Sequence, residues 1–359
     1  LAHRVPAALA AALAMLAIPV ASAGAATKVV TMGPSAKDAK TINKIGAAAG
    51  GLSDVNDFFP HGTTIHVGDS IAFTPAGFHT VNLVARGGTP LPLIVPTGTS
   101  VSGSLDAAGN PFWFNGLPAL GFNPALLKSK LGKHVSYNGT KAVESGLPLS
   151  AKPKAMVVKF TKAGKYTYFC NVHAGMKGVV TVKSSSKAIP SAAADKKTLA
   201  KQVKRDIAIA KGLPSIAPPA GTVHVGSAGK DGVEFFGMVP ATSTVPVGTT
   251  LTFAMTPASR EVHTATFGPG NPLTEPTSYL GQIEAGNNDP REIYPSDPPG
   301  ASASLTPTLH GNGFWNAGAL DTVAATPLPS SNSVTFAAPG TYTFYCMIHP
   351  FMKGTVVVQ

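Results

Sequence analysis

Cysteine is almost absent from this sequence: there are two in 359 residues, Cys170 and Cys346. At that density a disulfide-stapled scaffold is excluded. Charge is scarce too, at 13% of residues, and aromatic and β-branched residues are plentiful enough to build cores, so global disorder is not expected. Beyond the first few tens of residues, no stretch is long and apolar enough to cross a bilayer. Glycine and proline, in contrast, are abundant at 38 and 32 positions. That mix disfavours long helices and suits many short strands joined by turns. The length points to two domains, because one hydrophobic core rarely serves more than about 250–300 residues.

The N-terminus reads as a targeting segment. Arg4 supplies a positive start, "VPAALAAALAMLAIPV" is apolar, and "ASAGAA" offers small residues for cleavage. A signal peptide is expected over 1–26, cut after Ala23 or Ala26, giving a secreted or otherwise extracytoplasmic protein. A membrane anchor is the competing reading, but the apolar run is short for a span. After cleavage no stable membrane insertion is expected. No cysteine sits near the cut, so a lipid anchor is not indicated.

The two cysteines occupy the same local pattern. "YFCNVHAGMKG" sets Cys170, His173 and Met176 at three-residue intervals, and "FYCMIHPFMKG" does the same with Cys346, His349 and Met352. These are parts of a longer repeat. "GKYTYFCNVHAGMKGVVTV" (164–182) matches "GTYTFYCMIHPFMKGTVVV" (340–358) at ten of nineteen positions without a gap. Upstream, "GNPFW" pairs with "GNGFW", and "IHVGDSIAFTPAGFHTV" with "VPVGTTLTFAMTPASREVHTA". Each of the last two carries a His-Thr step, His79-Thr80 and His263-Thr264. A lone disulfide between the cysteines would not need so elaborate a pattern twice.

The segments around the motifs alternate or run β-branched and aromatic between turn signals, which predicts an all-β chain with a β-sandwich in each half. The expected domains are 27–183, with a long insert at 86–150, and 222–359, with a long insert at 268–330. Between them lies a basic linker, 184–221. Its "DKKTLAKQVKRDIAIAKG" reads as one helix with Leu199, Val203 and Ile207 on a single stripe. The inserts are rich in Pro, Gly, Asn and Ser, and the sequence does not define their structure. Charge is uneven: net +10 over 27–183, +5 in the linker and −5 over 222–359. Such asymmetry can steer docking between domains or toward a charged partner. No nucleic-acid module is recognisable.

Thiolate, imidazole and thioether are soft or borderline ligands that together select copper, and Cys with two His and a weak axial Met defines an electron-transfer copper site. The short motif supplies one Cys, one His and one Met. The second imidazole must come from elsewhere, and His79 and His263 are the repeat-matched candidates. Zinc competes as the metal, but methionine is a poor fourth ligand for it. Methionine as mere core filler is the bland alternative, and it weakens when the residue recurs at the same offset. His66 and His310 do not recur across the repeat, His3 lies in the expected signal segment, and these three together with His61, His134 and His224 read as exposed or locally bonded. Trp113 and Trp315 read as core anchors.

On these motifs, both halves resemble cupredoxins, the blue copper family, and "YCMIHPFMKGTVVV" is similar to an amicyanin or plastocyanin ligand loop. The resemblance implies two tandem Greek-key β-sandwiches, joined here by a linker with one helix, and a single-electron carrier with two type 1 copper ions. It implies His79, Cys170, His173 and Met176 as ligands in the first half, and His263, Cys346, His349 and Met352 in the second. It also implies a redox protein partner, which the sequence does not name. Copper capture outside the membrane is a second reading. A third is a copper oxidase or nitrite reductase, families in which a histidine flanks the ligand cysteine. Here the flanking residues are Phe169, Asn171, Tyr345 and Met347, and the chain has no His-x-His pair. No catalytic copper can be assembled from these residues, so an enzyme is not expected.

Overall fold

A computed structural model describes residues 25–286, 288–308, 313–323 and 328–359. Most of the expected signal segment, together with His3 and His310, lies outside the described residues. No described helix is long and apolar enough to cross a membrane.

Strand formation follows the alternation in the sequence. Met156–Phe160 and Lys353–Val358 bury every second residue, the period that turns one face of a strand inward. Two β-sandwiches result. In the first, one sheet runs Phe58–Phe59, Thr27–Met32, Ser70–Pro75, Met156–Phe160, His134–Tyr137. Its partner sheet runs Val143–Glu144, Asn82–Leu83, Gly164–Phe169, Lys177–Lys183, Gly62–His66. In the second sandwich, Ser304–Leu305, Ser331–Phe336, Thr250–Ala254, Thr222–Ala228 and Val233–Val239 form one sheet. Thr242–Val245, Lys353–Val358, Gly340–Tyr345, Thr266–Phe267 and Trp315–Asn316 form the other. The repeat is visible in space. In each sandwich the strand before the cysteine pairs antiparallel with the strand after the methionine, and the latter pairs in parallel with an earlier strand.

Aromatic rings fill both cores. Phe253 meets Phe267, Trp315 and Phe344 at centroid distances of 5.5, 5.9 and 5.1 Å. Tyr168, repeat mate of Phe344, lies 4.7 Å from Phe58 and 5.0 Å from Phe73. Trp315 is fully buried, whereas its mate Trp113 is half-buried and belongs to a different cluster.

That cluster is a seam between the sandwiches, built from the two inserts. Phe112 and Phe114 pack with Leu280, Ile283, Phe314, Tyr345 and Met347. Trp113 Nε1 donates to the Pro295 carbonyl at 2.9 Å, and Tyr279 and Tyr294 donate to the carbonyls of Leu105 and Pro118 at 2.8 and 2.6 Å. The inserts are also less separate than their composition implies. Their ends supply strands His134–Tyr137, Val143–Glu144, Ser304–Leu305 and Trp315–Asn316 to the sandwiches, and Ile94–Ser100 pairs with Pro118–Phe122 as a hairpin.

The halves interlock further. Leu52–Val55, from the first half, adds an edge strand to the second sandwich by pairing with Val233–Val239. Residues 27–183 therefore do not keep all their strands to themselves. The linker helix forms over Ala192–Gly212, started by Ser191, whose side chain accepts from Ala194 N. It is no free tether. Leu199, Val203 and Ile207 pack against Val55, Phe59, Val233 and Phe235, together with Ile42 of a helix at Ala36–Ala48.

The glycine that ends each ligand motif has a packing reason. Gly178 lies opposite Tyr168 and Gly354 opposite Phe344 in the strand register. A Cβ at Gly354 would sit 2.3 Å from the Phe344 ring, and one at Gly178 would sit 2.4 Å from Tyr168. Each ring lies across its glycine and carries the core over it. Gly354→Ala is therefore expected to cost about 1–3 kcal/mol through overpacking, read as a lower midpoint in chemical unfolding. An unchanged midpoint would mean the Phe344 ring has room to shift.

Candidate metal centre

Each sandwich gathers one cysteine and two histidines at one end. His79, Cys170 and His173 have their ligand atoms within 4.8 Å of one another, and so do His263, Cys346 and His349. All eight residues expected from the sequence are wholly or largely buried: Cys346 is 0% exposed, Met176 0%, Met352 1% and His263 1%.

The convergence has local causes. The histidine follows the end of an inner strand, and the threonine after it reaches across to the cysteine loop. Thr80 Oγ1 accepts from Asn171 N, and Thr264 Oγ1 accepts from Met347 N, both at 2.8 Å. The loop itself closes on its own backbone: Cys170 N donates to the Met176 carbonyl at 3.0 Å, and Met176 N to the His173 carbonyl at 3.0 Å. The second loop repeats both bonds at 3.1 and 2.8 Å. Such a closed turn fixes the three side chains on one side of the loop. Thr80 and Thr264 were legible as part of a repeat, but nothing in their spacing revealed this tie.

Glycines make room behind the two strand-end histidines. A Cβ at Gly77 would lie 2.9 Å from His79 Nε2, and one at Gly226 would lie 2.8 Å from His263 Nε2. Gly226 has φ +82° and sits in a register shift of strand Thr222–Ala228. The bulge thus opens a slot that only glycine leaves empty.

The donor geometry suits a small metal ion. His79 Nδ1 lies 2.9 Å from His173 Nδ1, and Cys170 Sγ lies 3.7 Å from His173 Nδ1. In the second cluster Cys346 Sγ is 3.7 Å from His263 Nδ1 and 3.8 Å from His349 Nδ1, with the two nitrogens 3.2 Å apart. A metal about 2.0 Å from nitrogen and about 2.3 Å from sulfur, in a trigonal arrangement, holds N and S about 3.7–3.8 Å apart, as here, and two nitrogens about 3.5 Å apart, so the imidazoles would part by a few tenths of an ångström to take it. Backbone N–H groups also face the sulfurs: Thr80 N and Val172 N at Cys170 (3.4 and 3.3 Å), Thr264 N and His349 N at Cys346 (3.3 and 3.4 Å). Such bonds stabilise a thiolate.

The clusters differ in charge. Burial alone would push the Cys170 thiol up, but hydrogen bonds and charge from His173 and His79 outweigh it and hold the thiol well below its ordinary range. Burial likewise opposes a proton on His173, yet the Glu261 carboxylate and the Cys170 sulfur hold that imidazole well above its usual range. Glu261 Oε2 lies 2.9 Å from His173 Nε2. The second cluster has no such neighbour on its imidazoles' outer nitrogens among the described contacts. There burial pushes Cys346 up to about 12, His263 down to about 3, and His349 down.

The other described histidines stay apart from these clusters. His61 Nδ1 lies 3.2 Å from the Asp57 carboxylate, His66 Nε2 lies 2.8 Å from the Lys187 carbonyl, and His134 is exposed on its strand. His224 joins neither group.

The profile of the copper-binding proteins of the plastocyanin/azurin family matches residues 104–183 and 321–359, and so takes in both cysteine loops. Amicyanin-alpha of Methylorubrum extorquens is 58% identical over 36 residues, which is 9% of this chain and 30% of that protein. The match thus spans under a third of the relative's length. Among solved structures, amicyanin of Paracoccus versutus aligns at 15% identity over 40% of this chain and 86% of its own, with a TM-score of 0.21. Plastocyanin of Dryopteris crassirhizoma aligns at 22% identity over 38% of this chain and 99% of its own, with a TM-score of 0.20. Both cysteine loops thus fall in segments that match the copper-binding proteins of the plastocyanin/azurin family, and each belongs to a sandwich with a His–Cys–His cluster, which supports two cupredoxin-like domains.

Proposed function

We propose that the protein is an extracytoplasmic single-electron carrier holding two type 1 copper ions, one per domain. The observation that carries this reading is the buried His–Cys–His cluster formed twice, each beside a methionine of the same loop. His79, Cys170, His173 and Met176 would hold one ion, and His263, Cys346, His349 and Met352 the other. Copper so bound supplies a one-electron couple, and a thiolate with two imidazoles and a weak thioether suits both of its oxidation states.

The surroundings favour a carrier over a buffer. A carrier gains from ligands that barely move as the metal changes charge, whereas a buffer needs only affinity. Here His79 and His263 are wedged over glycines, the loops are closed by backbone bonds, and threonines tie loop to strand. A catalytic copper would need an open position on further fixed imidazoles, and the residues that flank the two cysteines are Phe169, Asn171, Tyr345 and Met347. The export reading rests on the apolar segment with Arg4 before it and small residues after it.

Two outcomes follow. Copper-loaded protein should be intensely blue from thiolate-to-copper charge transfer. Cys346→Ser and Cys170→Ser should each remove roughly half the visible band, and the double variant should be colourless. A single variant that bleaches the whole band would place both colours at one site. In voltammetry the loaded protein should also cycle reversibly and keep its metal in both oxidation states. Loss of copper on every reduction would favour capture over electron transfer.

A further inference from the structure

The bond between His173 and Glu261 joins the two domains at the edge of the first site. His173 turns Nδ1 toward His79 and Cys170, so its Nε2 is the outer nitrogen. That nitrogen lies 2.9 Å from Glu261 Oε2, with the two side chains only 6% and 13% exposed. Glu261 comes from the second half of the chain and stands two residues before His263, a member of the second cluster. Its charge is felt by His263 and His349 as well as by His173.

The repeat shows that this segment is an addition. Phe73 and Phe253 are matched, yet six residues lead from Phe73 to His79 and ten from Phe253 to His263. The longer segment carries Arg260 and Glu261, and both face the first domain. Arg260 Nη1 donates to the Asn56 carbonyl at 2.6 Å and lies 3.7 Å from the Asp57 carboxylate. Arg260 N donates to Glu234 Oε1 at 2.9 Å, which also accepts from Asn56 Nδ2 at 3.1 Å. Asn56 N donates to the Gly232 carbonyl at 2.7 Å. Glu261 Oε1 accepts from Val262 N at 3.2 Å, leaving Oε2 for His173. The segment that carries this carboxylate is therefore tied to the first domain by a network of its own, apart from the insert seam.

We propose that Glu261 is the positioning residue for His173 and the bridge for electron exchange between the two metal sites. The proposal rests on the copper reading above. The carboxylate orients the imidazole through its outer nitrogen, as outer-sphere carboxylates do for metal-bound histidines. The connection then runs from the His173 ring through one hydrogen bond into the Glu261 side chain, and along the backbone through Val262 to His263. Copper held by the two clusters would supply the one-electron couple, and His173, Glu261, Val262 and His263 would form the connection between them. No bond breaks, and the proton stays between His173 and Glu261. With its outer edge covered, His173 offers no free face to an external partner, so electrons reach the first site by way of the second domain.

The test uses the full chain with Glu261→Ala and Glu261→Gln. In metal-free protein, nitrogen-edited NMR should show a slowly exchanging His173 Nε2 proton that disappears in the alanine variant. In copper-loaded protein also carrying Cys346→Ser, so that only the first site is coloured, both variants should raise the midpoint potential, because an anion beside the site favours the more highly charged oxidised ion. With both sites loaded, flash reduction should give internal equilibration at least tenfold slower in the alanine variant. In the glutamine variant, whose amide oxygen can still accept from His173, it should change less than threefold. Unchanged potential and equilibration in the alanine variant, with both bands intact, would overturn the proposal. A wild-type chain with no blue band would overturn the copper reading and the electron step with it. The NMR arm would then judge the positioning role alone.

Discussion

Both sites depend on one hydrogen bond, repeated: a threonine hydroxyl accepting the backbone N–H of the residue after the cysteine. Thr80 holds Asn171 and Thr264 holds Met347, each at 2.8 Å. Far apart in sequence, the histidine at a strand end and the cysteine in a loop are locked by this bond into one frame. The N–H it satisfies is buried, and leaving such a group unpaired costs about 1–3 kcal/mol. The rest of the site is built on that frame. The loop closes on its own backbone, the methionine is drawn into the core, and the second histidine swings its Nδ1 to meet the first.

The two clusters match in residue types and differ in surroundings. The first site has a carboxylate from the other domain on its outer imidazole. The second has aromatic neighbours instead: Phe236 lies 5.1 Å from His349, and Phe351, 44% exposed, lies 6.1 Å from His349 and 6.4 Å from Phe236. The inserts, the linker helix and the borrowed strand Leu52–Val55 all serve the relation between the domains. Each sandwich already has its own core. What these added elements stabilise is one docking geometry.

Much of this was legible in the sequence, for identifiable reasons. Period-two burial gives strands such as Lys353–Val358, and a doubled motif of soft ligands points to a metal whatever the fold. The histidines His79 and His263 were reachable only because the repeat preserved the His-Thr step. The helix Ala36–Ala48 was not legible, since Ile42 and Ile45 alone make too thin an apolar stripe, and tertiary packing against the linker helix decides it. The seam escaped too. Trp113 looks like a repeat of Trp315, yet it donates to Pro295 in the other domain. Glu261 appears in the sequence as one acid in an acidic half, and only the fold puts it on His173.

Metal analysis combined with electron spin resonance on the oxidised, copper-loaded full chain is the most direct test of the proposal that each chain holds two copper ions of one kind, each on a thiolate and two imidazoles. Two coppers per chain are expected, both with the narrow hyperfine splitting of a copper bound covalently to thiolate, and no third class of signal. One copper per chain, a wide-splitting signal from a copper without thiolate, or retention of zinc in the presence of copper would contradict it.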